Sequence, residues 1–359
     1  MPEQNSSARP GRGVGTVLQK LVYLVPAVVL FILSLESLTL GAKPLGPLIR
    51  GAFSVDSPAN SLGFGWLFAT LVFSGSPVAA TAVAFHDAQV LTTQEAYAMI
   101  VGSRLGASFF VLVLGVVYVI RGHKPEQSLS SGILSQFVTQ SVYLPALLVG
   151  SLALSRGWTS GWSIRPAATG SSLLDIVFSP FSQALSTYVP GWALFPLAFV
   201  SLLLCFALFD RSLPQLKLRE ENLGAPSRLV FRPIVSFFLG GAITLVSFSV
   251  RVSLSLLVPL SARGYIRQEN AIPYIMGANV TTLIDTLFAA VLLGHPEGPS
   301  MVMTLMLSVG LTSLLIMVAG FRGYERLLVR LTNWTVSSRR NLAVYVLLMF
   351  VAIIGLMLV

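Results

Sequence analysis

Apolar residues run along this chain in long blocks parted by short polar stretches. Blocks at roughly 17–39, 96–121, 133–155, 188–209, 270–294, 299–320 and 342–359 are each long enough to cross the ~30 Å hydrocarbon core of a bilayer as a helix. Two further blocks, 61–87 and 233–260, differ. Each is interrupted near its middle, by Ser74-Gly75-Ser76-Pro77 and by Ser249-Val250-Arg251. Such a block can fold as two half-length helices that turn back on themselves, a re-entrant hairpin. Irregular backbone at that depth is tolerated only where protein or a water-filled cavity covers it.

The pattern repeats at an offset of 175 residues. Ser236, Gly240, Phe248, Ser249, Val258, Ala271, Ile275 and Gly277 fall on Ser61, Gly65, Phe73, Ser74, Val83, Ala96, Ile100 and Gly102 without a gap. Long-period symmetry in a hydrophobic chain suggests a transporter of two halves with its site where they meet.

Composition sharpens this picture. The chain has 359 residues, 54% hydrophobic and 10% charged, with a mean hydropathy of +0.80. Soluble domains carry about 25% charged residues, so an all-α polytopic membrane protein is expected. The net charge of +9 does not indicate nucleic-acid binding, because most of it sits in loops, where it sets orientation. With both hairpins re-entrant and the N-terminus cytoplasmic, 17 Lys/Arg fall on the cytoplasmic side and 4 on the other, leaving Arg104 and Arg251 within the membrane. Letting the first hairpin cross would move Arg121 and Lys124 outside, against the positive-inside rule.

The two halves then have inverted topology, each with one re-entrant hairpin. Residues 1–16 are a disordered cytoplasmic N-terminus, 17–155 the first repeat, 156–187 an external connector and 188–320 the second repeat. Residues 321–359 form a cytoplasmic loop and an extra C-terminal helix. A charged cytoplasmic loop is expected at 210–232, and a short amphipathic interfacial piece at 40–60. The apolar block after the N-terminus lacks a small-x-small cleavage site and reads as a retained helix. Trp158, Trp162 and Trp192 fit an interfacial belt.

The hairpin breaks carry the candidate chemistry. A broken helix frees backbone N–H and C=O groups, and its N-terminal end can hold an anion. Serine hydroxyls can donate to an anion or offer oxygen to Na⁺. Equally, small residues let helices pack closely. Arg104 and Arg251 either hold an anion, whose geometry guanidinium matches, or pair with Asp285, Asp87 or Glu95. Asp285, two turns beyond Gly277, either binds a cation or proton or neutralises an arginine. His86 and Asp87, at the end of the first hairpin, read as interfacial. Gln140-Ser141 reads as helix packing. The only cysteine, Cys205, cannot form an intrachain disulfide.

At these segments the sequence resembles the type II sodium–phosphate cotransporter family, bacterial branch, as a divergent member. That family carries two inverted copies of a Gln-Ser-Ser-Ser segment, each followed by a Gly-Ala-Asn-Ile-Gly-Thr-Thr-like segment. Phe73-Ser74-Gly75-Ser76 and Phe248-Ser249-Val250-Arg251 stand at the first motif. Gly102-Ser103-Arg104 and Gly277-Ala278-Asn279-Val280-Thr281-Thr282 stand at the second. Both family glutamines are phenylalanine here, and three serines are gone. Leu40-Gly41-Ala42-Lys43-Pro44 is similar to the family's stretch after its first helix.

The resemblance implies Na⁺-coupled phosphate symport by alternating access, with no cofactor beyond a coupling ion. It places substrate on Ser74, Gly75, Ser76, Ser249, Arg251, Arg104, Asn279, Thr281 and Thr282, and a cation on Ser74, Ser249, Asn279 and Asp285. Expected partners are phosphate or another small anion, the lipid bilayer and a possible homo-oligomer, in a bacterial inner membrane. A different anion and a non-transporting scaffold are the alternatives. Three widely separated histidines and no metal-ligand cluster argue against an enzyme.

Overall fold

The computed structural model describes residues 12–52, 55–159, 161–162, 168–212, 232–247, 249–262 and 268–359. Phe248 and most of the 210–232 loop lie outside them, as do residues 1–11 of the expected N-terminal tail. Every regular element among the described residues is helical. Among the described residues, seven helical stretches are long and apolar enough to cross a membrane: Val22–Gly51, Thr93–Ile120, Ser128–Ser155, Gly191–Ser212, Gln268–Leu293, Glu297–Ala319 and Arg339–Met357. The chain is an all-α polytopic membrane protein, and the seven stretches match the seven apolar blocks in order.

The first half comprises α1 (Arg12–Ala52), α2 (Pro58–Val72), α3 (Ser76–Asp87), α4 (Thr93–Ala107), α5 (Phe109–Ile120) and α6 (Pro125–Ser155). After α7 (Ala168–Tyr188) come α8 (Gly191–Ser212), α9 (Pro233–Ser247), α10 (Val250–Ser255), α11 (Leu257–Ala262), α12 (Gln268–Thr281), α13 (Ile284–Leu293) and α14 (Glu297–Ala319). The chain ends with α15 (Phe321–Val336) and α16 (Arg339–Met357). The 175-residue offset carries Pro58 to Pro233, Val72 to Ser247, Asp87 to Ala262, Thr93 to Gln268 and Phe109 to Ile284. Element ends therefore recur at the spacing seen in the sequence.

Both interrupted blocks are broken helices. α2 starts on a capping box: the Ser57 hydroxyl accepts from Asn60 N–H at 3.2 Å, and the Asn60 amide oxygen accepts from Ser57 N–H at 2.7 Å. It stops at Phe73, which sits at φ 53°. A left-handed residue with a Cβ costs about 1–2 kcal/mol and cannot continue the helix. α3 restarts two residues later with Pro77 in its first turn, where a missing N–H costs nothing. The second block breaks between α9 and α10 and again at Leu256.

Close helix crossings hold each half together. α2 lies on α4 in the first and α9 on α12 in the second, and α1 of the first runs along α8 of the second. A Cβ on Gly65 would sit 2.3 Å from the Met99 carbonyl oxygen, and one on Gly102 2.1 Å from that of Leu62. A Cβ on Gly240 would sit 2.0 Å from the Tyr274 oxygen, and one on Gly277 1.8 Å from that of Phe237. All eight residues pair off at the 175 offset, so the same backbone approach is built twice. Small residues permit such approach where no hydrophobic force drives helices together. α3 is enclosed on every side: Val78, Ala79, Ala80, Ala82, Val83, Ala84 and Phe85 are all buried, as expected of a segment at the centre of a bundle.

Several expectations need correction. α1 starts at Arg12 and continues through Pro44 and Pro47 to Ala52, so residues 40–52 extend the first helix and are not a separate interfacial piece. The connector holds a helix, α7, whose Ser182 hydroxyl donates to Glu36 on α1 at 2.5 Å. The 321–341 stretch is helix α15 for most of its length. Both 96–121 and 270–294 are interrupted at equivalent points, Ser108 and Thr282-Leu283. At the first, the Ser108 hydroxyl bonds the Leu105 carbonyl at 2.7 Å, a side-chain-to-backbone bond that competes with the helix ladder.

Candidate functional site

The two membrane arginines meet at one place. Arg104 on α4 and Arg251 on α10 line a single small cavity with Ser108, Thr139, Asn279 and Thr282. The space open to the centres of water-sized spheres is ≈ 10 Å³, about enough for one water. The walls thus close on each other in this conformation, and a phosphate-sized anion requires them to part.

Each arginine has a carboxylate partner. Arg104 Nη2 lies 3.3 Å from Asp285 Oδ1, with side chains 2% and 6% exposed. Its Nη1 donates to Thr282 Oγ1 at 3.2 Å and reaches Ser76 Oγ at 3.5 Å, and Nη2 also donates to the Thr286 hydroxyl. Arg251 Nη2 lies 3.1 Å from Asp210 Oδ2 on α8, and that pair is partly exposed. Ser249 also hydrogen-bonds Asp210. The first pairing was among those the sequence suggested. The second was not, since Glu95 instead pairs with Arg50 at 3.3 Å and caps α4 through Thr92. Each arginine that lines the cavity is therefore matched by a carboxylate just outside it.

The offset of 175 sets Arg104 on Asn279 and Ser76 on Arg251. Each half thus supplies one arginine and one neutral polar residue, with the two places exchanged. Asn279 Nδ2 donates to Thr139 Oγ1 at 3.1 Å, and its carbonyl accepts from the Tyr143 hydroxyl at 2.7 Å. Thr139 and Tyr143 escaped the sequence reading. Their signal is one polar stripe, four residues apart, on an otherwise apolar helix. Gln140 and Ser141 face away, toward Tyr345 at 3.3 Å and Tyr324 at 2.6 Å, so they tie α6 to α16 and α15.

The remaining expected residues divide. Ser74 and Ser249 are buried at the breaks. Gly75 packs on α4 so tightly that a Cβ would lie 2.8 Å from the Ser103 carbonyl, which places the first break against the helix that carries Arg104. Thr281 is not brought to the cavity: its hydroxyl donates to the Gly241 carbonyl at 2.9 Å, in the α9–α12 crossing. Phe73 is 40% exposed, and its ring stacks on Phe109 with centroids 6.4 Å apart.

Asp285 has a second neighbour. An apolar cavity of ≈ 270 Å³ is bounded by Leu24, Phe31, Phe206, Phe209 and Phe288, with Asp285 in its wall. The Arg104–Asp285 pair thus touches both cavities, Arg104 lining the small one and Asp285 the larger apolar one. Elsewhere His86 and His295 meet edge to face at 4.5 Å. Glu297 lies 3.6 Å from His86 and accepts from Thr93 at 2.5 Å. Among the described residues no group of three or more His, Cys, Asp or Glu could hold a metal ion.

Residues 30–178 match the Na+/Pi-cotransporter family model. That stretch, less than half of the chain, is similar to the Na+/Pi-cotransporter family. The matched part holds Ser74, Gly75, Ser76, Arg104, Thr139 and Tyr143, while Arg251, Asn279 and Asp285 lie beyond it. That family is one of sodium–phosphate transporters and not of enzymes, and the similarity joins the apolar helices in pointing to a membrane transport protein. No curated protein and no solved structure matches the chain.

Proposed function

We propose that this chain is a member of the Na+/Pi-cotransporter family and carries inorganic phosphate by Na⁺-coupled symport, through alternating access at a centre shared by two inverted halves, 17–155 and 188–320. The observation that carries this reading is the meeting of Arg104 and Arg251, from different places in the two copies, on one cavity. Guanidinium groups recognise phosphate bidentately. In the closed state described here their charge is held by Asp285 and Asp210. Phosphate entering as the walls part would take over Arg251, the more exposed of the two, together with Asn279, Thr282 and the Ser74-Gly75-Ser76 break. A cation would sit among Ser74, Ser249 and Asn279. Each Na⁺ moving down 100 mV contributes about 2.3 kcal/mol. In this reading the N-terminus is cytoplasmic, and the membrane is a bacterial inner membrane.

The test is uptake of labelled phosphate into proteoliposomes with and without an inward Na⁺ gradient, with sulfate and arsenate as competitors. Saturable, Na⁺-stimulated uptake whose KM rises about tenfold or more in Arg251→Ala, as loss of a charge-assisted hydrogen bond would give, is the expected result. Uptake of another anion in preference to phosphate would assign a different substrate. No uptake of any anion by well-folded protein would favour a scaffold.

A further inference from the structure

Arg104 fills a cage made of oxygens. Ser76 Oγ at 3.5 Å, Thr282 Oγ1 at 3.2 Å, Asp285 Oδ1 at 3.3 Å and Thr286 Oγ1 surround its two terminal nitrogens. Three hydroxyls and one carboxylate, with no nitrogen or sulfur, form the hard donor set that hard cations take. Hydroxyls turn either a lone pair or a hydrogen toward a guest. The fit to a guanidinium is incomplete. Arg104 Nε is buried with no hydrogen-bond partner, and the carboxylate is met through Oδ1, not by the two-oxygen fork that guanidinium favours. Asp285 Oδ1 is instead also held by the backbone N–H of Thr286 at 2.5 Å and by its hydroxyl at 2.9 Å, so the cage is organised from α13 itself. The second copy has Asn279 where the first has Arg104, so a neutral residue fits that place in this architecture.

We infer that Arg104 is a tethered cation that stands in for a coupling ion. Its guanidinium occupies the Ser76–Thr282–Asp285–Thr286 cage, excludes Na⁺ from it, and leaves the transport cycle with one Na⁺ fewer than an open cage would give. This rests on the Na⁺-coupled reading above and sets its stoichiometry. A guanidinium neutralises Asp285 as Na⁺ would, but it stays with the protein when substrate crosses. One charge fewer per cycle lowers the attainable accumulation ratio about 50-fold at 100 mV.

Arg104→Asn installs the residue of the second copy and opens the cage. Wild type, R104N, R104K, D285N and the double variant R104N/D285N are purified in detergent without phosphate. Each is melted in rising NaCl, with choline chloride holding ionic strength constant. The expected result is a saturable, Na⁺-specific rise in Tm for R104N beyond any response of the wild type. R104K keeps a charge in the cage and should not gain this response; the double variant should lose it. Should R104N be lost on exchange into choline yet recovered monodisperse in Na⁺, that is the same gain read another way. In proteoliposomes R104N should need one more Na⁺ per phosphate, seen as a steeper Na⁺ dependence of uptake. An R104N protein that melts alike in Na⁺ and choline, or is equally unrecoverable in both, overturns the inference. So does a saturable Na⁺ response in wild type that D285N removes. The melting arm measures no transport, so it stands even where wild type moves no phosphate. Phosphate uptake by wild type with a flat R104N melt would sink the cage alone.

Discussion

Gly102→Ala and Gly277→Ala should destabilise the protein by similar amounts, because the two crossings they occupy are copies of each other. The added Cβ would lie 2.1 Å from the Leu62 oxygen in one case and 1.8 Å from the Phe237 oxygen in the other. Both are backbone atoms inside helices, so no side chain can swing aside. The nearest contacts found for real Cβ atoms start at about 3.0 Å, so each helix pair must part by about 1 Å. Dispersion falls steeply over such a gap, and overpacking typically costs ~1–3 kcal/mol. Alanine recovers up to ~1 kcal/mol of helix propensity over glycine, which leaves a net loss of up to about 2 kcal/mol. Gly310→Ala is the control: its Cβ would meet nothing nearer than Val280 Cγ1 at 4.0 Å, so only the propensity gain remains. Melting in detergent reads all three. If both crossing variants melt with Gly310→Ala, the close approach of α2 to α4 and of α9 to α12 is wrong. If one falls and the other does not, the equivalence of the two halves is wrong.

Asp285→Asn leaves the Arg104 guanidinium buried without its anion, and removing one partner of a buried pair costs ~3–5 kcal/mol. The double variant R104M/D285L should melt well above Asp285→Asn alone, although it abolishes transport. Asp210→Asn frees Arg251 at a partly exposed site, so it should change stability by no more than about 1 kcal/mol while lowering the KM for phosphate in uptake assays. Arg322, Arg326 and Arg330 are exposed along one side of α15 at four-residue spacing, a pattern that suits an anionic lipid surface at ~1 kcal/mol per arginine. Changing all three to Gln should remove any rise in activity that phosphatidylglycerol gives over phosphatidylcholine in proteoliposomes.

What the sequence makes legible here is what repeats along one strand of chain. Glycines at 65, 102, 240 and 277 hold their places because two backbones must touch, and a one-residue shift would put a Cβ into a carbonyl. The constraint is local to each helix, so the spacing survives even where identity is sparse. The breaks at Ser74 and Ser249 are legible for a similar reason: small polar residues interrupt an apolar run. Azimuth between helices is not written locally. Arg251 finds Asp210 on α8, 41 residues away across a charged loop, and His86 meets His295 only because the end of α3 abuts the start of α14. The break at Ser108 has no Pro or Gly beside it in either direction except Gly106, and it coincides with the place where Arg104 bonds Thr282 and Thr286 of the other half.

Misreading α15 as loop has a different cause. Its arginines lower the mean hydropathy that finds spanning helices, yet their four-residue spacing is itself the mark of a helix lying with one charged side. The same distinction bears on the centre. An arginine in an apolar run says only that a partner exists. Which partner, and whether the guanidinium binds substrate or replaces an ion, depends on the oxygens of Thr282, Asp285 and Thr286 that surround it. Those oxygens are encoded 178 to 182 residues later in the chain, on the other half of the duplication. A site built at the junction of two copies therefore hides half its chemistry from any reading that takes one copy at a time, and the departures of one copy from the other are the best sequence-level pointer to it.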